Sequence, residues 1–331
     1  MTNQQLAPTL PRRLSQAGDI APDDSASVFG LLRRGLGDGV RGALLTLVDS
    51  VGGSARPVGA QMAVLEDGRF AGYLSSGCLE SAIATEAMEL MRQQRNAILR
   101  FGAGSPFLDI RLPCGGSMDV LVDTGIDEAL VETAGDHLAA RRPFAIVFDP
   151  NGPAALEEGD TRQTGWHEDT FRRCYPQQLQ LVVLGRGLEF EALARLGAAA
   201  GYRLRAFAAD DQNAVRLIEA GIDCDRLLTP RDPPDLRLDS RSAVVLLFHE
   251  HEWETAILRQ ALGADCLYIG ALGSTRTHQR RCEVLLACGH TLAEIDRIRG
   301  PIGLFGPTRD ASSLAISVLA ELAQLVLHDQ R

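Results

Sequence analysis

Two cysteines stand in glycine-bearing turns: Cys78 within residues 73–86 (YLSSGCLESAIATE) and Cys114 within residues 112–117 (LPCGGS). The first lies where an extended run stops and helical spacing begins, with Leu79, Ile83, Ala87 and Leu90 on one face. Ser75 and Ser76 are capping residues, and Glu80 and Glu86 suit an early turn. A thiol at the positive end of a helix is biased toward thiolate, the form that attacks sulfur, binds metal or is oxidised. Taken alone, Cys78 also fits a small buried hydrophobe. A second thiol in a second glycine loop strengthens the chemical reading. A third loop, residues 49–59 (DSVGGSARPVG), carries Gly52, Gly53, Gly59 and a single guanidinium, Arg56. Such a loop lets backbone N–H groups approach an anion while the arginine offers its fork, although an ordinary connection has the same composition.

The second half of the chain holds a different set. Residues 180–184 (QLVVL) run into Gly185-Arg186-Gly187 and then a helical stretch, the strand, turn and helix order that a dinucleotide fingerprint needs. Gly185 permits the tight turn and Gly187 a close approach to phosphate, but Phe190 stands where a third glycine is expected. Asp210 and Asp211 follow the next strand, where an acid meets a ribose hydroxyl. The apolar run 243–248 delivers His249-Glu250-His251 to its C-terminal end, where open α/β sheets bind ligands. Two histidines two apart are a weak metal signal, so proton handling by His249 or a plain surface pair is favoured. Gly273 and Ser274 open a helix bearing Arg276, His278, Arg280 and Arg281, an anion-accepting start or a solvated basic face. Residues 300–309 (GPIGLFGPTR) form a glycine-punctuated loop, with Thr308 expected to cap the last helix.

The positioning elements follow from periodicity. Residues 1–24 read as a tail without periodicity, 27–36 as an amphipathic helix and 43–48 as a strand. Residues 61–66 and 69–75 flank Asp67-Gly68 as a hairpin that returns the chain to Cys78. The Arg56 loop and the Cys78 turn should therefore share one rim of a sheet. A helix runs to about residue 92, with strands at 97–101, 118–123 and 144–148, the last closing a first domain of residues 25–150. Residues 151–178 read as a linker with at most one hairpin, and 179–331 as a doubly wound Rossmann-like domain.

With 331 residues and a formal net charge of −10, the chain has the length of two domains and the wrong sign for nucleic acid or an anionic membrane. No run is long enough for a membrane span and the first residues lack a signal-peptide core, which points to the cytoplasm. Seven cysteines with no CxxC pair indicate neither a disulfide framework nor a structural zinc site.

In order, GGSARPVGAQM, SSGCLE, PCGG, GRG, YIGALGSTRTHQRR and GPIGL make the chain resemble the XdhC/CoxI family of molybdenum-hydroxylase maturation factors, across about residues 28–327. The resemblance implies an α/β protein with an N-terminal XdhC/CoxI domain and a C-terminal Rossmann domain. It further implies binding of molybdenum cofactor in its molybdopterin form, with or without a nucleotide. A cysteine desulfurase would support sulfuration, and the cofactor would be inserted into the large subunit of an apo xanthine, aldehyde or carbon monoxide dehydrogenase. Carried over by position, the cofactor-binding residues are Gly52, Gly53, Arg56, Gly77, Cys78, Glu80, Cys114, Gly115 and Gly116 in the first domain, with Cys78 or Cys114 as ligand to molybdenum. In the second domain the candidates are Gly185, Gly187, Asp210, Gly273 and Ser274. The chain departs from the family at Leu188, where histidine is common, at Ser76, where glycine is frequent, and at residues 305–308, usually Asp-Ile-Gly-Ala.

Three functions are therefore weighed. The first is a homodimeric molybdenum-cofactor carrier with Cys78 and Cys114 as its reactive candidates. The second is an NAD(P)-dependent oxidoreductase using Gly185, Gly187 and Asp210, with His249 as proton donor. The third is a cofactor-free scaffold for a molybdoenzyme.

Overall fold

The computed structural model describes residues 25–52, 56–75, 77, 79–106, 115–149, 152–159, 163–231 and 233–329. It divides into two units, Met1–Gln177 and Gln178–Arg331. The expected tail falls outside the described residues.

The first unit opens with helix α1 (Ser25–Gly37) and strands β1 (Gly42–Val51), β2 (Gln61–Leu65) and β3 (Phe70–Gly72). Helix α2 (Glu80–Gln93), β4 (Ala97–Gly102) and β5 (Ser117–Asp123) follow. The five strands form an antiparallel sheet in the order β3-β2-β1-β5-β4. Its central strand reads as a continuous apolar run because both faces are covered. Leu45 and Leu47 of β1 pack toward α2, with Ile83, Ala87 and Phe101. Leu44 and Val48 face the other way, toward α1 and helix α3 (Glu128–Ala139). The hairpin expected at Asp67-Gly68 is present, with Val64 opposite Phe70.

The chain past residue 148 departs from expectation. β6 (Phe144–Phe148) does not close the unit but starts a second antiparallel sheet with β7 (Ala155–Glu158), β8 (Gly165–His167) and β9 (Thr170–Tyr175), in the order β7-β6-β9-β8. The stretch read as a linker thus supplies three strands. Its acidic, glycine-rich composition belongs to edge and turn positions, while Phe171 and Tyr175 bury the one inward face, and Tyr175 stacks on Phe144 at 4.3 Å.

The second unit contains β10 (Gln180–Gly185), α4 (Gly187–Ala199), β11 (Arg203–Ala208), α5 (Asp211–Glu219), β12 (Cys224–Arg226) and β13 (Ser242–Leu247). It continues with α6 (Glu254–Gly263), β14 (Tyr268–Ala271), α7 (Thr275–Ala287), α8 (Leu292–Ile295), β15 (Ile298–Arg299) and α9 (Ala311–Asp329). All six strands are parallel, in the order β12-β11-β10-β13-β14-β15, which is the doubly wound Rossmann arrangement with its switch point between β10 and β13. The last helix is capped by Asp310, whose carboxylate accepts from the Ser313 N–H at 2.8 Å, rather than by Thr308. A shorter reach favours Asp310, which lies directly before the first turn.

One buried ion pair fixes the far side of this sheet. Arg281 of α7 forks onto Glu254 of α6 at 2.9 and 2.8 Å and also donates to the Leu272 carbonyl at 2.7 Å, with both side chains almost wholly buried. Arg281, read with its neighbours as an anion-accepting helix start or a solvated basic face, is thus an internal brace. Replacing one partner strands the other charge without solvent. Glu254→Ala should lower stability by about 3–5 kcal/mol, read as a drop in the urea midpoint at unchanged slope.

Candidate functional site

Strand direction brings three loops of the first unit to one rim. β1 ends there at Val51, opposite Ser117 at the start of β5, and Gly102 at the end of β4 is also opposite Ser117. Thr46 faces Gln61 at the start of β2, and Met62 faces Gly72 at the end of β3, from which the chain enters the turn before α2. Described residues of the loops 49–59, 73–79 and 112–117 therefore meet along the same edge.

Glycine is required where two of these loops touch. A Cβ on Gly116 would lie 2.2 Å from the Val51 carbonyl oxygen, and one on Gly52 would lie 3.2 Å from the Gly116 Cα. Gly77 and Gly115 need glycine for another reason. Their φ values are +91° and +71°, and a Cβ at either would meet nothing within 4 Å among the described residues. Arg56, in the loop that follows β1, is half-buried. Gly53, Cys78 and Cys114 lie outside the described residues.

Glu80 stands in the first turn of α2, as the spacing suggests, and its carboxylate folds back over the preceding turn. The N-cap of α2 is Leu79 rather than Ser75, and Ser76 lies outside the described residues. It accepts from the Ser75 N–H at 2.8 Å, from the Ser75 hydroxyl at 2.9 and 2.8 Å, and from the Leu79 N–H at 3.2 Å. With the residue only 3 % exposed, both oxygens serve the turn that carries residues 76–78. Glu80 is a positioning residue here rather than a group offered to a ligand.

In the second unit the glycine turn sits at the switch point, but its polar groups are engaged. A Cβ on Gly185 would come 2.4 Å from the Leu247 carbonyl oxygen, so the turn needs glycine for strand packing alone. Gly187, at φ +86°, donates its N–H to the Asn213 side-chain oxygen at 2.7 Å, and the Asn213 amide donates back to the Gly187 carbonyl at 3.3 Å. Asp210 does not stand ready for a ribose: it is the N-cap of α5 and accepts from the Asn213 N–H at 2.8 Å. Phe190 is fully buried in the core at the third-glycine position. Across the switch point Arg186 pairs with Glu250. Asn213 and Glu250 had no signal of their own, though Asp-x-x-Asn after a strand is a cap pattern that places the first.

The remaining candidates gather elsewhere. His249, Gly273 and Ser274 line an open cleft of about 770 Å³ over the C-terminal ends of β13 and β14, together with the loop 301–310. Ser274 caps α7 by accepting from the Thr277 N–H at 3.2 Å. Among the described residues no group of three or more His, Cys, Asp and Glu side chains could hold a metal ion. Burial pushes the Cys224 and Cys266 thiols up to about 11 and raises that of Cys282 as well. These thiols stay protonated near neutral pH.

The model of the XdhC and CoxI family matches residues 36–102, and that of the XdhC Rossmann domain matches residues 181–322. The molybdenum cofactor insertion chaperone PaoD of Escherichia coli (strain K12) is 36% identical over 308 residues, covering 93% of this chain and 91% of that protein. A Bacillus halodurans crystal structure described as a xanthine dehydrogenase superposes with a TM-score of 0.71 at 22% identity, over 91% of this chain and 96% of that one, a likeness of fold.

Removing the Glu80 carboxylate should loosen the turn without unfolding the unit. Glu80→Ala is expected to cost about 1–3 kcal/mol, and Glu80→Gln less, because the amide still accepts. Hydrogen exchange at the Leu79 amide measures it directly, and unchanged protection in Glu80→Ala would remove the positioning role.

Proposed function

The chain belongs to the XdhC and CoxI family, and we propose that it is a molybdenum-cofactor maturation factor that receives the cofactor, shields it and inserts it into a molybdoenzyme. The observation that carries this reading is the shared rim of the first unit, where loops bearing Gly52, Arg56, Gly77, Gly115 and Gly116 meet, in a chain 36% identical to a protein named as such a chaperone.

The rim fits such a ligand in two respects. Glycines with positive φ allow backbone N–H groups to approach a bulky anion, and Arg56 brings to the same loops a guanidinium of the type that forks onto phosphate. The bound cofactor supplies a molybdenum that takes soft sulfur ligands. Cys78, next to the start of α2, and Cys114, next to Gly115, are the thiols assigned to hold it or to pass sulfur to it. Glu80 ties Ser75 to Leu79, the described residues on either side of Cys78 in sequence.

The finer points extend the same reading. A cysteine desulfurase supplies the sulfur for sulfuration, the client is the large subunit of an apo molybdenum hydroxylase, and the carrier acts as a homodimer in the cytoplasm. No helix among the described residues is long and apolar enough to cross a membrane. The oxidoreductase alternative draws less support, since Asn213 holds both backbone groups of Gly187 and Asp210 caps a helix.

Anaerobic ultrafiltration with molybdenum cofactor tests the proposal. The parent protein should retain the cofactor, while Cys78→Ala or Cys114→Ala should lower retention at least about tenfold, equivalent to about 1.4 kcal/mol. Equal retention by parent and the double variant would move the site off the rim, and no retention by the parent would end the carrier reading.

A further inference from the structure

Helix α9 has an outer face that the packing of its own unit does not use. The inner face is settled. Ala315, Val318 and Leu322 are buried in the core beside α4. Ser317 accepts from the Phe305 N–H at 2.9 Å, and Glu321 accepts from the Gly303 N–H at 2.9 Å and the Tyr268 hydroxyl at 2.7 Å. Glu321 is the single charged residue between Ala311 and Leu327, and these bonds turn it inward. The outward side of the helix therefore carries no charge.

That side is apolar along its length. Ile316 and Leu327 are 53 % and 62 % exposed, with Ala320 and Ala323 between them, all four within about 60° around the helix axis. One exposed leucine on a surface is ordinary. A helix that solvent meets along one whole side ordinarily puts charged and polar residues there, and an apolar side belongs against another surface. Helix α4 packs beside α9 and adds Leu188, 66 % exposed, with Ala192 and Ala199. Its cation is drawn off toward α5, where Arg195 bonds Glu191 at 3.0 Å and the Arg216 carbonyl at 3.1 Å.

Three features select a second copy of this chain as the occupant. The apolar positions 316, 320, 323 and 327 are spaced by four, three and four residues, a pattern that reads the same from either end. An antiparallel copy thus sets each large side chain against a large one and each alanine against an alanine, the self-complementarity that a two-fold interface requires. It also places the start of each helix dipole beside the end of the other. The size is adequate: α9, about 28 Å long, and α4 at its side give a footprint of roughly 500 Å² before side-chain relief, against about 800 Å² of accessible surface per partner in a standard interface. Finally, two chains of net charge −10 repel, and an uncharged face is where they can close.

We propose that this face is the two-fold interface of a homodimer, with α9 antiparallel to its counterpart, Ile316 against the partner's Leu327 and Ala320 against the partner's Ala323. It supplies a surface for the homodimer of the carrier reading and rests on that point alone, because no residue of the first-unit rim takes part.

Sedimentation equilibrium of the full chain, free of molybdenum cofactor, tests it. The parent should sediment as a dimer. Ala320→Glu places a carboxylate in the seam and should raise the dimer dissociation constant at least about a hundredfold. Ala320→Glu combined with Ala323→Arg in one chain sets each acid against the partner's guanidinium and should return the constant to within about tenfold of the parent's. A parallel pairing would set like against like and leave the double variant dissociated, while recovery by the double variant excludes misfolding as the cause of the first loss. The proposal is overturned if the parent is a monomer, if Ala320→Glu remains dimeric, or if the double variant fails to recover. A monomer that retains molybdenum cofactor would end the interface and leave the carrier, and a dimer that retains none would do the reverse.

Discussion

The contact between Gly52 and Gly116 governs the first unit. β1 and β5 stay paired as far as Val51 and Ser117, and beyond that pair only two residues without side chains can pass so closely. Widening that approach by one methyl would push the strand ends apart and part the loops that follow them. The rim is therefore a product of sheet register more than of the loops themselves. Each glycine loop is where it is because the strand behind it is buried on both faces and cannot slip.

The second unit answers the same problem differently. A parallel sheet gathers its ligand-facing ends on one side by construction, so no special contact is needed to bring loops together. What matters there is which polar groups remain available. At β10 the amide of Gly187 is engaged by Asn213, and the acid of β11 by its own helix. Past β15 the loop 303–305 is tied backward onto α9, and the cleft in front of it stays open. Two halves of one crevice have thus been put to different uses, one for internal bracing and one for an opening.

Much of this was legible from residue patterns, and the failures have physical reasons. The hairpin at Asp67-Gly68, the buried strand before His249 and the strand-turn-helix at Gly185 each rest on local chemistry that tertiary contacts did not override. The family resemblance and the α/β architecture with a Rossmann-like second unit agree with the observed fold. The edge strands β7 and β8 escape a reading by pattern because such strands carry charge and glycine, so their composition imitates a loop. Glu80 enters the ligand set through the family resemblance and Asp210 through its place after a strand, and neither signal tells an acid that faces outward from one that folds back onto the backbone. Neither of the readings open to Arg281, an anion-accepting helix start or a solvated basic face, foresees its burial, because its partner Glu254 is on another helix and nothing local announces a buried pair.

The order in which the chain is made gives the Tyr175 ring a further meaning. It stacks on Phe144, meets Phe29 edge-on at 5.8 Å and donates its hydroxyl to Gln61, so it joins the last strand of the first unit to its first helix and to β2. A chain that stops short of this residue leaves the Phe144 and Phe29 rings without their aromatic neighbour, so the packing of the first unit is complete only once the last strand of its second sheet has been added.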